Sequence, residues 1–150
     1  MDKTWSRMYV IAQSDISSHS KVEEFEKEVT TGTFSISYIP RSRHVHQSWL
    51  TTPFTTLYST FKAISLILKT NPQVLICNGP GTCIPLCLVA KLFTILGISS
   101  TKILFIESFA RVKDLSLTGK ILYRLADRVV VQWEELCEKY PNASYLGQLM

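Results

Sequence analysis

Three groups of residues have types and spacings that can do chemistry. The first is Asn78-Gly79-Pro80-Gly81-Thr82, a tight turn between a short apolar run (Val74 to Cys77) and a longer one (Cys83 to Gly97). Read as strand, glycine turn and helix, this stretch leaves the first helical N–H groups without carbonyl partners, at the strand's C-terminal edge. An anion such as phosphate fits there, and the glycines let it approach the backbone. The same five residues also read as a plain connector. The second group is Arg41, Arg43, His44 and His46. Guanidinium matches phosphate oxygens bidentately, so the arginines can clamp a pyrophosphate; the alternative is a solvated basic loop. The third is Glu107 and Ser108, at the end of the apolar run Lys102–Ile106, with Arg111 three residues beyond Ser108. A carboxylate and a hydroxyl at the C-terminal end of a parallel strand lie where open α/β sheets bind ligands. A helix-cap set or a local ion pair is the other reading.

The elements that must position these residues follow from the apolar periodicity. Met8 to Ala12 reads as a strand. Lys21 to Val29 places Val22, Phe25 and Val29 at helical spacing, a short amphipathic helix ended by Gly32. Thr33 to Ile39 alternates Phe34, Ile36 and Tyr38 with small polar residues, a half-buried strand closed by Pro40. Thr52 and Pro53 suit the N-cap and first turn of a helix running to about Lys69. Val74 to Cys77 has no polar alternation and reads as a strand buried on both faces. Lys102 to Ile106 and Asp127 to Gln132 read as further buried strands, with helices at Leu117 to Ala126 and Trp133 to Tyr140 between and after them. Ser116 or Thr118 starts the former, and Tyr145 to Gly147 suits a last short strand. The alternation predicts an α/β fold with a doubly wound, mostly parallel sheet in a single domain, residues 1–150.

Composition narrows the function classes. With 46% hydrophobic and 19% charged residues the chain has enough apolar material for a packed core and is not a disordered sequence. A net charge of +4 fits a phosphorylated ligand or an anionic membrane surface, and no basic stripe interleaved with aromatics suggests nucleic acid. The cysteines at 77, 83, 87 and 137 lack C-x-x-C spacing and read as small apolar filler in a reducing compartment. Pro85 to Ile98, the best candidate span, falls short of the about 20 apolar residues a crossing needs, and Lys91 interrupts it.

Four blocks together carry a family resemblance. They are Ile39-Pro40-Arg41-Ser42-Arg43 with Gln47-Ser48-Trp49; Cys77 to Cys83; Glu107-Ser108, Arg111 and Ser116 to Lys120; and Val131-Gln132-Trp133, Lys139-Tyr140-Pro141 with Tyr145-Leu146-Gly147. In this order and spacing the chain resembles the membrane-anchoring subunit of the UDP-N-acetylglucosamine transferase of dolichol-linked oligosaccharide synthesis. The resemblance implies the Rossmann-like, acceptor-side half of a GT-B glycosyltransferase split over two polypeptides. It implies a subunit not active alone, with no catalytic residue, cofactor or metal of its own. A catalytic partner would bind UDP-GlcNAc, and the pair would add the second GlcNAc to GlcNAc-pyrophosphoryl-dolichol on the cytosolic face of the endoplasmic reticulum membrane. Expected acceptor contacts are Arg41, Arg43, Asn78, Gly79, Gly81, Thr82, Glu107, Ser108 and Arg111. Tyr145, Leu146, Gly147 and Leu149 belong to the segment expected to meet the partner.

The chain departs from the family pattern in two ways. It lacks the hydrophobic anchor, the first strand and the glycine-rich loop with its histidine that open the family's sequence, and it carries His44 where an acidic residue is more usual. Without a first, central strand, the strands at Met8 and Val74 lose a shared neighbour, at roughly 1–3 kcal/mol for each buried group left unpaired. That predicts a fragment, a splice form or a truncated gene model. A second class of function follows, an interaction module that binds the catalytic partner without supporting transfer. An independent nucleotide-binding enzyme is disfavoured, because no G-x-G-x-x-G fingerprint is present.

Overall fold

The structure, a computed structural model, describes residues 5–13, 15–40, 52–78 and 81–147, with the backbone alone at Ile16 and at residues 52–55. Its elements alternate as the periodicity predicts: β1 (Ser6–Ala12), α1 (Ile16–Glu28), β2 (Thr33–Ile39), α2 (Thr52–Thr70), β3 (Val74–Asn78), α3 (Cys83–Ile95), β4 (Lys102–Ile106), α4 (Leu117–Leu125), β5 (Arg128–Val131), α5 (Glu135–Lys139) and β6 (Ala143–Tyr145). Every strand pairing is parallel. The strands form two sheets, β1-β2 and β3-β4-β5-β6. Among the described residues β1 therefore pairs with β2 alone and β3 with β4 alone, the gap expected between the strands at Met8 and Val74.

One hydrophobic core joins the two sheets. Ile39 of β2 packs with Ala63 and Ile67 of α2, Cys77 of β3, and Phe105, Val129 and Val131 of the larger sheet. Val10 of β1 lies against the same cluster. At the end of β2 the buried Ser59 hydroxyl of α2 donates to the Pro40 carbonyl at 3.3 Å. Helices α2, α3 and α4 lie side by side, with α3 packed against both neighbours and over β3 and β4.

Several local expectations need correction. Helix α1 starts at Ile16, a turn before Lys21, because the Asp15 carboxylate accepts from the Ser18 N–H at 3.2 Å and caps it. Its inward residue is Glu26, 8% exposed, whereas Phe25 is 55% exposed. Glu26 takes two hydrogen bonds of 2.8 Å from the Arg7 guanidinium and one of 2.6 Å from the Tyr9 hydroxyl. Those bonds hold its carboxyl below the usual range, Arg7 first and Tyr9 second. Strand β3 is not buried on both faces, since Val74 is 49% and Ile76 62% exposed. It ends its sheet, and only the face carrying Cys77 lies beneath α3. On β2 the alternating Phe34 and Tyr38 point outward, half exposed, with Tyr38 stacked on His19 of α1. The last strand is Ala143–Tyr145 rather than 145–147, because Val129 pairs with Ala143 and sets its start. Helix α5 spans only Glu135–Lys139 of the predicted Trp133–Tyr140.

All four cysteines are free thiols. The Cys77 and Cys87 sulfurs are 3.4 Å apart and buried, as small filler between β3 and α3. Among the described residues no group of three potential ligands is placed to hold a metal, and no helix is long and apolar enough to cross a membrane.

Candidate functional site

Parallel registers bring the candidate residues to one edge of the larger sheet. Asn78 of β3 pairs with Ile106 of β4, and Ile106 with Val130 of β5. One step further along each strand come the turn after Asn78, then Glu107, then Val131 and Gln132. Asn78 and Glu107 thus come at the carboxyl ends of adjacent strands, the position at which open α/β sheets bind ligands, with Gly81 and Thr82 leading into α3 just after Asn78. Thr82 is the N-cap of α3 by position, but its side chain makes no capping bond. The Ile84 N–H donates to the Gly81 carbonyl at 3.1 Å and tightens the helix start. Gly79, Arg41 and Arg43 lie outside the described residues.

Glu107 is the most constrained member. It is 1% exposed, and both carboxylate oxygens are occupied from within the chain. Oε1 accepts from the Ser108 N–H at 2.8 Å. Oε2 accepts from the Ser116 N–H and the Ser116 hydroxyl, each at 2.9 Å. That hydroxyl accepts in turn from the Gly119 N–H at 2.9 Å, the N-cap bond of α4. The backbone at 107 is pinned as well. Its N–H donates to the Val130 carbonyl at 2.9 Å, and its carbonyl accepts from the Gln132 amide at 3.1 Å. Glu107 therefore ties the end of β4 to the start of α4 and closes the 107–116 segment into a loop.

The rest of that loop is held at two points. The Trp133 indole N–H donates to the Phe109 carbonyl at 2.7 Å, and the two rings lie 5.2 Å apart. Asp114 accepts from Lys120 at 2.6 Å, from Lys139 at 3.1 Å and from the Tyr140 hydroxyl. Lys120 first, then Tyr140 and Lys139, hold the Asp114 carboxyl well below the ordinary carboxylate range. A depressed folded value gives a contribution that is present above the unfolded pKa and is lost as pH falls through the folded value. The chain is thus expected to lose stability on acidification below about pH 4, and Asp114→Asn to flatten that part of a melting-temperature profile against pH. Between these anchors Ser108 and Arg111 stay exposed. The Arg111 N–H closes a turn onto the Ser108 carbonyl at 3.0 Å, and its guanidinium pairs with no carboxylate among the described residues. The loop thus presents one exposed hydroxyl and one cation with no carboxylate partner among the described residues.

Periodicity gave no hint of Ser116 or Gly119 as partners of Glu107. Gly119 is required there, since a Cβ on it would stand 2.0 Å from Glu107 Oε2. At the other end of the larger sheet's order, Val131 of β5 pairs with Tyr145 of β6, so Tyr145 and Leu146 reach the same edge. They are 41% and 62% exposed, and Gly147 follows with φ +87°. Leu149 lies outside the described residues.

The family model for "Oligosaccharide biosynthesis protein Alg14 like" matches residues 1–149. The chain belongs to the Alg14 family. Curated relatives include the UDP-N-acetylglucosamine transferase subunit ALG14 of Homo sapiens, 46% identical over 96% of this chain and 70% of the relative. The Schizosaccharomyces pombe subunit of the same name is 46% identical over 97% of this chain and 71% of the relative. Among solved structures, Acinetobacter baumannii MurG matches with a TM-score of 0.58 at 13% identity, covering 96% of this chain and 46% of MurG. That likeness is one of fold. The Alg14-family chain thus has the α/β architecture of half a GT-B glycosyltransferase, as the resemblance implied.

Proposed function

We propose that this chain is the acceptor-side, membrane-recruiting subunit of a heteromeric UDP-GlcNAc transferase. It would add the second GlcNAc to GlcNAc-pyrophosphoryl-dolichol on the cytosolic face of the endoplasmic reticulum, with UDP-GlcNAc held by a separate catalytic subunit. The observation carrying this reading is the register that sets Asn78 of β3 against Ile106 of β4, directly before Glu107 and Ser108, at the carboxyl edge of the larger sheet, in a chain 46% identical to the human subunit. In this reading the backbone at Asn78, Gly79, Gly81 and Thr82 receives pyrophosphate oxygens, with Arg41, Arg43 and Arg111 supplying charge. Ser108 hydrogen-bonds a sugar hydroxyl. Glu107 orients the acceptor indirectly, by holding the loop that carries Ser108 and Arg111, because its own oxygens are taken. Tyr145, Leu146, Gly147 and Leu149 meet the catalytic partner.

Single-turnover transfer by the assembled complex tests these assignments. Arg111→Ala is expected to weaken acceptor use about tenfold, a loss of about 1.4 kcal/mol in transition-state stabilisation. Gly81→Val is expected to act in the same direction, by blocking close approach to the backbone. The site assignment fails if both leave transfer unchanged. Leu146→Asp is expected to lower co-purification with the catalytic subunit. The second reading, a module that binds the partner without supporting transfer, draws on the edges of β1 and β3 that pair with no strand among the described residues. Retained co-purification with no turnover by the unmutated chain selects it.

A further inference from the structure

Helix α5, Glu135–Lys139, is too short to be stable by its own backbone bonds. It is held by what it packs against. Leu136, 1% exposed, roots it in the core. Trp133, just before the helix, and Tyr140, just after it, lie against the same core. Tyr140 is fixed further by the Tyr123 ring, edge-on at 5.2 Å, and by its carbonyl, which accepts from the Ala143 N–H at 2.8 Å. Ahead of Trp133, the Gln132 amide is bonded to the Glu107 carbonyl. The segment from Gln132 to Tyr140 is therefore a platform secured at both ends.

Both ends reach out to the same loop. The Trp133 indole N–H donates to the Phe109 carbonyl at 2.7 Å, and the Tyr140 hydroxyl donates to the Asp114 carboxylate. Arg111 falls between these two points, two residues after Phe109 and three before Asp114. Burial does not demand either bond. Phe109 is exposed, so water could serve its carbonyl, and Asp114 already has Lys120 and Lys139. The lysines neutralise Asp114 but do not locate it, because their long stems follow the carboxylate through many positions. An indole and a phenol are rigid and carry their donors at fixed points. The two aromatic donors thus set the shape of the 109–114 span. Left loose, that span would sample many backbone states, and a ligand that needs Ser108 and Arg111 in one arrangement would have to order them on binding.

We infer that Trp133 and Tyr140 are positioning residues: from the two ends of α5 they hold Phe109 and Asp114, and so set where Ser108 and Arg111 stand to receive the acceptor. The hold itself rests on the geometry. Its effect on transfer rests on the acceptor-side reading. Both residues act through the loop and not on the substrate.

Trypsin reads the hold without any acceptor lipid. Among the described residues Arg111 and Lys113 are the only lysine or arginine outside the helices and strands, and both are exposed. In the full chain, Trp133→Phe with Tyr140→Phe removes both donors and keeps both rings. It is expected to speed cleavage after Arg111 about tenfold, followed by mass spectrometry, with the melting temperature nearly unchanged. Glu138→Gln, exposed on the same helix, is the control and should leave the rate as it is. Transfer by the assembled complex reads the consequence. The double variant is expected to raise the acceptor KM about tenfold at unchanged kcat. On top of Arg111→Ala it should cost far less, because its effect passes through the span that carries the missing group. Equal cleavage of parent and variant overturns the hold, as does faster cleavage that only tracks a lower melting temperature. A transfer cost that multiplies in full with that of Arg111→Ala overturns the positioning role. Transfer indifferent to both Arg111→Ala and Gly81→Val refutes the acceptor-side reading instead, and faster cleavage of the variant then still upholds the hold.

Discussion

Replacing Glu107 by alanine is expected to lower the unfolding free energy by about 3 kcal/mol and to release the 107–116 loop. The effect follows from three donors that lose their acceptor together: the N–H groups of Ser108 and Ser116, and the Ser116 hydroxyl. Water cannot readily replace a side chain that is 1% exposed, so each donor carries most of its desolvation penalty. Glu107→Gln should recover about half of the loss, because an amide offers one acceptor oxygen and turns its NH2 toward a donor. Urea midpoints for the three proteins give the comparison. A shift below about 1 kcal/mol for Glu107→Ala would mean that the loop is held chiefly by Trp133 and Asp114. In the transfer assay the alanine variant should lose activity together with loop order, whereas Arg111→Ala should lose it with the melting temperature unchanged.

The second large effect is expected at Gly119, where alanine should cost about 3 kcal/mol. Alanine normally favours a helix over glycine by about 1 kcal/mol, so the sign here comes from packing. The added methyl would meet Glu107 Oε2 at 2.0 Å and the Leu115 Cβ at 3.2 Å. The carboxylate can yield only by breaking its bonds to Ser116. A double-mutant cycle isolates this cause. In a Glu107→Ala background Gly119→Ala should be close to neutral, so the two changes together should cost little more than Glu107→Ala alone. Additive costs would place the Gly119 requirement in the helix backbone rather than in the carboxylate.

How far sequence reasoning reaches can be judged at particular residues. Thr33–Ile39 and Lys102–Ile106 have the boundaries that β-branched and aromatic runs between turn signals predict. The meeting of Asn78 with Glu107 was also legible, because parallel strands in a wound sheet end on one edge. What Glu107 does there was not. Its partners Ser116 and Gly119 lie nine and twelve residues on, and no period links a strand end to the cap of the following helix. The Arg7–Glu26 pair spans 19 residues and was hidden for the same reason. The exposure of Val74 and Ile76 was missed because an apolar run records what a strand is made of, not who stands beside it. The exposure of Leu92 and Ile95 on α3, at 52% and 73%, was hidden in a similar way: a helix apolar on every side looks like core until its neighbours are placed.

The division of the strands into a pair and a quartet has a consequence for how the chain comes apart. No backbone ladder joins β1-α1-β2 to the remainder among the described residues; Val10 and Ile39 in the shared core, and Ser59 bonded to Pro40, connect them instead. Side-chain packing can separate without unzipping a sheet, so the amino-terminal unit can open while β3 to β6 stay closed. Graded rather than all-or-none unfolding is the expected result, with Asn78 and the Glu107 lock in the part that opens last.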